Sequence, residues 1–456
     1  MLERLRDAAS LGAVMLALQY AGSAPARAIE LVERNGLTVG LALELGAGYF
    51  HTANTSFGVG RIDLDSGETT GDAQWVEGYI EPRLELAYET DHAGTLYGAV
   101  SAISAITRGD GDAGGFTTGD EEDTDLEYLY AGWRSGTLFA DALGEDALDL
   151  SVGAQDFQIG DGFLIWDGDF DTGRDAAYWL QPRSAFDRAG LVRLNTEPVG
   201  GQIFYLRGDD DQGHAELAGA NAEYLSDFGT LGATYFQIFD VDAVFDAEVP
   251  REGMQVISLR AGELHWPGFE DLALNAELAK QFGDGEDAEF DAEAFYIEPA
   301  YTFSWLPWSP TLAYRFAYFS GDPDPADEDR KDFDPLFYGL SRGWGTWFQG
   351  EIVGEYLLFN GNQVNHMIHL SAQPAESVVI GALYFHFDLA EKDYFGTPVS
   401  DKDFADEINF YADWTVNDNL LLGAVYGAAW PGNAAEEVFG DDDVYHLFQV
   451  YAALTF

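Results

Sequence analysis

Charged side chains recur at positions of one parity along several segments of the chain. In the segment 76–88, Glu77, Glu81, Arg83 and Glu85 share one parity, and mostly apolar residues fill the other. On a β-strand, residues of one parity project from one face, so these groups would form a charged row. Such a row can select ions in a water-filled passage, or its opposite charges can pair and brace a wall.

The same parity argument predicts a larger set of inward-facing charges from the other alternating segments. Acids outnumber bases in this set. The arginines would therefore form either a discrete selectivity constriction or bidentate pairs with neighbouring carboxylates, and the abundance of acids favours pairing. The predicted pore-lining residues are Arg83, Arg193, Arg260, Arg315, Glu81, Glu85, Glu277, Glu298, Glu407 and Asp413, and the same row contains Glu44, Glu77, Glu223 and Arg134.

Runs of aspartate raise the question of a Ca²⁺ site, because carboxylate oxygens are the ligands that this cation prefers. The run at 167–171 begins like a Ca²⁺-binding loop. Thr172, however, stands where such a loop needs Gly, and Tyr178 stands where it needs a bidentate Glu. We therefore interpret the acidic runs as solvated loops and predict no metal site and no cofactor.

The sequence contains no recognisable catalytic motif. It has no G-x-S-x-G elbow, H-E-x-x-H helix or Gly-rich phosphate loop. His366 and His369 fall on opposite faces of one strand, where they cannot share a metal ion. Without cysteines the chain has no thiol nucleophile, disulfide or thiolate metal site. No catalytic residue is predicted, and the chain is not expected to be an enzyme.

Composition excludes several classes of protein. With 22 basic and 80 acidic residues, the formal charge is −58, which has the wrong sign for binding nucleic acid. Beyond residue 28, no apolar run reaches the length of about 18 residues that a membrane-spanning helix needs. Aromatic residues form 14% of the chain, a share that suits the girdles of membrane barrels and also an aromatic-rich soluble β protein.

The first residues resemble a secretory leader. Arg4 and Arg6 precede an apolar stretch at 8–21, and Ala26-Arg27-Ala28 forms a small-x-small cleavage signal. We predict a signal peptide over residues 1–28 and a single barrel domain over residues 29–456. The alternative for the leader is a short amphipathic helix of a soluble protein.

Alternating segments and their links predict an all-β protein. Segments such as 38–50 and 76–88 alternate with period two, the pattern of β-strands. Links are short on one side of the sheet and long and acidic on the other, as in outer-membrane barrels. This parity holds if 320–362 is one outer excursion and the next strand begins near Gln363. An antiparallel barrel of about 18 strands is predicted, with both termini in the periplasm.

The excursion 320–362 is rich in aromatic residues, which include Trp344, Trp347, Phe348 and Tyr356. These side chains would either fold into the barrel mouth as stacking faces for sugar rings or pack against the rim. Packing against the rim is the favoured interpretation.

The last strand distinguishes a membrane barrel from a soluble one. Residues 444–456 alternate, with an outward apolar row that is interrupted at His446 and ends at Phe456. An amphipathic strand with an aromatic carboxyl terminus resembles the closing strand of bacterial outer-membrane barrels. The resemblance implies that the barrel-assembly machinery reads Phe456. We expect this strand to close the barrel against residues 38–50.

Short motifs carry a closer resemblance. Tyr318-Phe319-Ser320-Gly321-Asp322 and Phe333-Asp334-Pro335-Leu336-Phe337, with Gly153-Ala154-Gln155 and Trp430-Pro431-Gly432, are similar to the alginate-export family of outer-membrane porins. The family often has Arg where Ala154 stands. The resemblance implies a monomeric 18-stranded channel of a Gram-negative outer membrane.

The resemblance does not establish alginate as the solute. The predicted function is passive passage of a polar solute or a polysaccharide across the outer membrane. Two alternatives remain open at this point: a barrel plugged by its loops that acts as a receptor or adhesin, and a barrel enzyme that acts on lipid.

Overall fold

The computed structural model describes residues 29–62, 67–90, 92–242, 251–285, 288–324, 327, 329–339 and 343–456. The predicted signal peptide, residues 1–28, lies outside these described residues.

Eighteen long antiparallel strands form one closed barrel in the described chain. Each strand pairs with its neighbours in sequence, and the last strand pairs with the first, from Glu44 opposite Thr455 to Ala53 opposite His446. The predicted all-β barrel is therefore confirmed, as is the closure of its two end strands. In chain order the strands are β1 (Leu37–Ala53), β2 (Gln74–Glu89), β3 (Thr95–Gly109), β4 (Glu122–Arg134), β5 (Leu148–Gln155), β6 (Phe186–Leu194), β7 (Val199–Arg207), β8 (Glu216–Ser226), β9 (Gly229–Asp240), β10 (Gln255–Trp266), β11 (Phe269–Asp284), β12 (Glu289–Thr302), β13 (Thr311–Phe319), β14 (Gln363–Ala375), β15 (Val378–Leu389), β16 (Asp403–Asn417), β17 (Leu420–Pro431) and β18 (Tyr445–Thr455).

Smaller elements decorate the barrel. The short strand Ile29–Arg34 pairs with the beginning of β1, and Asp329–Arg330 pairs with the beginning of β12. No helix in the described ranges is both long enough and apolar enough to span a membrane. The remaining elements are the hairpin Asp393–Tyr394 and Thr397–Pro398, the helices Ala140–Leu143 and Asn433–Phe439, the 3₁₀ turns Thr55–Gly58 and Gly173–Asp175, and the π-helix Gly350–Leu358.

Side chains alternate between a buried interior and an apolar exterior. In β18, Leu447 and Gln449 are fully buried, whereas Phe448 between them is 43% exposed. Large apolar residues are exposed on the outer face of other strands too, with Val152 and Ile203 more than 60% exposed. A soluble barrel would turn its apolar row inward, so an outer apolar face of this kind requires lipid.

The alternation of short and long links also agrees with the sequence analysis. Short turns at 195–198, 227–228 and 418–419 lie on one side of the barrel. The long links lie on the other side as far as their residues are described; they are 54–73, 156–185, 320–362 and 390–402. Short turns mark the periplasmic side of bacterial barrels. The excursion 320–362 ends where predicted, since β14 begins at Gln363.

Two prolines, Pro82 in β2 and Pro299 in β12, lie on the lipid-facing row of strands that pair with a neighbour on both sides. A missing N–H in a closed sheet leads one to expect a bulge at each. This expectation is wrong. Pairing with the next strand is interrupted at each proline, but it resumes in the same register on the other side. A bulge would insert an extra residue and shift that register.

Candidate functional site

The link 156–185 and described residues of the link 320–362 fold into the barrel. The second forms the π-helix Gly350–Leu358, and all nine of its residues are buried. Ile352 and Val353 of this helix share one apolar cluster with Phe385 of β15 and Val425 of β17. The aromatic residues of the excursion therefore lie inside the barrel, and the interpretation that placed them against the rim is wrong.

Trp347 shows how deeply this excursion enters. Its side chain is fully buried, its ring lies 4.7 Å from that of Phe163 and 4.6 Å from that of Tyr296, and Arg315 lies over its face at 4.9 Å. The indole Nε1 donates to the carbonyl of Asp161 at 3.0 Å. The two inward links thus pack against each other as well as against the wall.

Inward carboxylates hold these links by accepting their backbone N–H groups. Glu407 of β16 accepts from Ile352 at 3.1 Å and from Val353 at 2.8 Å, near the amino end of the π-helix. Anionic groups are favoured there, because unpaired N–H groups and the helix dipole both point outward from that end. Glu407 was predicted to line the pore, and in the structure it anchors the inward helix.

The link 156–185 is held in the same way. Glu77 of β2 accepts the N–H of Trp179 at 3.1 Å and that of Leu180 at 2.9 Å. Glu127 of β4 accepts those of Ser184 and Ala185, each at 3.0 Å. Charge-assisted bonds to backbone donors are among the stronger hydrogen bonds in proteins.

Parity alone missed Glu127. Val100 pairs with Leu129, and Ala102 pairs with Leu126. Two residues of β4, Glu127 and Tyr128, therefore lie opposite one residue of β3, Ser101. This bulge turns both Glu127 and Tyr128 inward, although they are sequence neighbours. A period of two cannot predict such a pair.

The predicted inward arginines are mostly paired with acids. Arg83 lies 2.8 Å from Glu44, 3.2 Å from Glu85 and 3.7 Å from Glu81. Partner acids therefore hold the guanidinium groups along the wall. The other pairs are Arg260 with Glu223 at 2.7 Å and Glu277 at 4.0 Å, Arg315 with Glu298 at 3.4 Å, and Arg134 with Asp149 at 3.3 Å, while Arg193 lies 3.4 Å from the Ser151 hydroxyl.

An inner cavity of about 160 Å³ lies between the wall and the two inward links. Its described lining contains five carboxylates and no lysine or arginine. Two of the five, Glu351 and Glu355, come from the π-helix and were not predicted, because residues of an irregular link have no period to assign them a face. The five are Glu44, Glu81, Glu351, Glu355 and Asp413.

Aromatic rings line the same cavity. Asp413 accepts a hydrogen bond from Trp344 Nε1 at 2.7 Å and from the Tyr451 hydroxyl at 2.9 Å. The Trp179 ring lies 5.2 Å from that of Tyr451 and 6.5 Å from that of Trp344. Flat apolar faces and carboxylates are thus presented to the same space.

An outer cavity of about 440 Å³ lies on the other side of the π-helix. Glu355 lines the inner cavity, whereas Tyr356 and Leu357 line the outer one, so the helix is part of the wall between them. The outer cavity has both aromatic and charged lining residues. The charged ones are Asp211 and Arg251, and the aromatic ones include Phe116, Phe170, Tyr338, Phe359, Tyr394, Phe395 and Phe439.

The acids of the π-helix are shifted toward their neutral forms. Burial raises the pKa of Glu351 to about 8, against a hydrogen bond from Gln449 that favours the carboxylate. Burial also raises the pKa of Glu355 well above its usual value, and the neighbouring Glu351 adds to the rise. The inner cavity therefore gains negative charge from Glu351 as pH rises through about 8.

Comparison with known proteins identifies the family of this chain. The family model described as alginate export matches residues 80–445, most of the chain. The chain belongs to the alginate-export family. No curated protein matches it in sequence.

Solved structures support the fold. The chain is similar to Pseudomonas aeruginosa OccK5 (OpdH), with a TM-score of 0.54 and 11% identity over 91% of this chain and 98% of that one. It is similar to OccK3 (OpdO) of the same species, with a TM-score of 0.53 and 15% identity over 92% and 95%. A variant of OccD1 (OprD) gives 0.57 and 12% over 94% and 97%.

As a member of the alginate-export family, the protein is an outer-membrane channel for passive passage of solutes. The predicted family, localisation and channel function are confirmed. A channel of this family is not an enzyme, and the alternative of a barrel enzyme acting on lipid is set aside.

Proposed function

We propose that this alginate-export family member passes cations and neutral polar solutes in preference to anions, so that its solute is not a polyanion. The observation that carries the proposal is the inner cavity, whose described lining has five acidic side chains and no basic side chain. Two of the five, Glu351 and Glu355, add negative charge only above their raised pKa values. We assign the selecting role to these five acids. Of the predicted pore-lining residues, Arg83, Arg260 and Arg315, with Glu85, Glu277 and Glu298, act instead as paired charges that brace the wall.

Charge along the wall supports this assignment. A conduit for a polyanion needs positive groups free to meet it, since like charges repel along a narrow passage. Beside the cavity, Arg83 faces three carboxylates of its own wall, so this guanidinium is surrounded by a surplus of negative charge.

The aromatic side chains of the inner cavity further restrict the class of solute that we expect to pass. Trp179, Trp344 and Tyr451 present aromatic surface beside the carboxylate of Asp413. Aromatic faces attract organic cations and also stack on the apolar faces of sugar rings, and carboxylates accept hydrogen bonds from hydroxyl or ammonium groups. Neutral saccharides and small organic cations both fit this combination.

Swelling of liposomes that contain the purified protein tests the proposal. We expect lysine cations and a neutral disaccharide to enter much faster than glutamate anions, which are similar to lysine in size. Equal or faster entry of glutamate would overturn the proposed selectivity. In a separate planar-bilayer recording, an alginate oligomer, which is a polyanion, should not enter the channel and block its single-channel current.

We further propose that the channel is a monomer in outer-membrane lipid, that residues 1–28 are removed on export, and that the barrel-assembly machinery recognises the last strand through Phe456. At the seam, the Phe456 N–H donates to the Leu43 carbonyl at 2.9 Å and the Leu43 N–H donates to the Phe456 carbonyl at 3.1 Å. The terminal backbone thus closes the barrel, while Phe456, 39% exposed, is accessible to a partner.

Phe456→Ala separates these two roles. The substitution keeps both backbone hydrogen bonds, so refolding of the purified chain into detergent should be nearly unchanged. The amount of assembled barrel in cells should fall strongly, as measured by heat-modifiable migration of membrane fractions on gels. Phe448→Ala, which removes an outward ring from the same strand, is the control. Equal assembly of both variants would contradict the recognition role.

A further inference from the structure

A group of metal-ligating side chains lies on the outer face of the barrel, away from the channel. His386 and Asp388 extend from the end of β15, and Asp403 and Asp406 from the beginning of β16. One ligand atom from each of His386, Asp388 and Asp403 lies within 4.8 Å of the others. Both strands reach the outer rim here, at the two ends of the link 390–402.

Both ring nitrogens of His386 face carboxylates. Nδ1 lies 3.0 Å from Asp406 Oδ1, and Nε2 lies 3.4 Å from Asp388 Oδ2. A neutral imidazole carries one N–H, so it can donate to one carboxylate while its other nitrogen turns a lone pair toward negative oxygen. A cation bound at Nε2 would satisfy both this lone pair and the Asp388 carboxylate that faces it.

Spacing and charge favour the cation. Two ligands of one tetrahedral zinc ion, each at about 2.0–2.1 Å, are roughly 3.3 Å apart, close to the separation of Nε2 and the Asp388 oxygen. In the part of the chain that the structure describes, no lysine or arginine forms an ion pair with Asp388, Asp403 or Asp406. Three carboxylates therefore share one imidazole.

Asp406 has the place of an orienting partner rather than a ligand. It faces Nδ1, and the Tyr384 hydroxyl donates to its Oδ1 at 2.6 Å, which fixes the carboxylate. Metal-bound histidines commonly donate their second N–H to a carboxylate in this way. His366, whose ring is 6.4 Å from that of His386, is engaged with the Tyr314 hydroxyl at 2.8 Å.

We propose that His386 Nε2, Asp388 and Asp403 bind a divalent transition-metal ion of the zinc type, with Asp406 as the positioning residue. Three protein ligands leave one coordination position open to water. The ion ties the end of β15 to the beginning of β16 and thereby clamps the base of the link 390–402. The site is independent of the proposed solute selectivity.

Cobalt spectroscopy of the full barrel in detergent tests the site. Excess Mg²⁺ occupies nonspecific carboxylates, and Co²⁺ is then added while the visible absorption of tetrahedral Co²⁺ is recorded. We expect a saturable band with a stoichiometry of one ion per barrel, abolished by stoichiometric Zn²⁺. His386→Ala and Asp388→Asn should remove the band, and Asp406→Asn should weaken Co²⁺ binding by about 10- to 100-fold.

His446→Ala is the matched control, because His446 is another rim histidine, paired with the Tyr426 hydroxyl at 2.9 Å and not with a carboxylate. It should leave the band unchanged. Heat-modifiable migration verifies that each variant is folded. Absence of a saturable band in the wild-type protein, or an equal band in folded His386→Ala, would overturn the proposal.

Discussion

Glu351→Gln is expected to reduce the rise in cation preference that we predict for the wild-type channel as pH increases through about 8. Burial favours the neutral form of this carboxyl, so below its raised pKa the side chain adds no charge to the inner cavity. As pH rises above that pKa, the side chain ionises and the cavity becomes more negative. A unit charge about 4 Å from a passing ion contributes roughly 1 to 4 kcal/mol, depending on the local dielectric, so the change in selectivity should be at least several-fold.

Reversal potentials in a salt gradient, measured on both sides of that pKa, test this expectation. Glu436→Gln is the control, because it removes an equal charge from an exposed position on the outer helix Asn433–Phe439. The control should keep the wild-type pH dependence. The same pH dependence in Glu351→Gln as in wild type would show that Glu351 does not face the conducted ions.

Replacing residues 344–360 by a short Gly/Ser linker is expected to raise single-channel conductance several-fold and to weaken ion selection. This segment contains the π-helix between the inner and outer cavities and two of the five lining carboxylates. Barrels of 16 to 18 strands leave an aqueous channel when nothing fills them. Planar-bilayer recording measures both effects.

A linker in place of residues 139–143 is the control for this deletion. That segment includes the short helix Ala140–Leu143, which has no buried residue and lies on the periplasmic side. Its removal should leave conductance unchanged.

Glu407→Ala provides a milder variant that leaves the N–H groups of Ile352 and Val353 without their acceptor, and it should increase current noise. Wild-type conductance in the folded deletion variant would contradict the role of the helix as a partition.

The barrel was predictable because its rules are local. Lipid outside and polar groups inside impose a period of two on every strand, and that period is visible from Thr38 to Thr455. Short and long links alternate along the whole chain only if 320–362 is a single outer excursion. The strand count is then even, and the next strand begins near Gln363. The same parity selected inward acids such as Glu44 and Asp413, which the structure places at the inner cavity.

The remainder of the site depends on contacts that a period cannot encode. The bulge at Glu127 and Tyr128 changes parity within one strand. Glu351 and Glu355 reach the cavity because an irregular link folds inward and is held by Glu407, a contact across about fifty residues of sequence. The grouping of His386 with Asp403 requires the register between β15 and β16.

The most direct test of the central claim is the reversal potential of the wild-type channel in a potassium chloride gradient at a pH above the pKa of Glu351. A potential of the sign set by potassium, showing that cations pass more readily than chloride, is the predicted result. A potential of the sign set by chloride would contradict the acidic constriction and favour a passage built for anions.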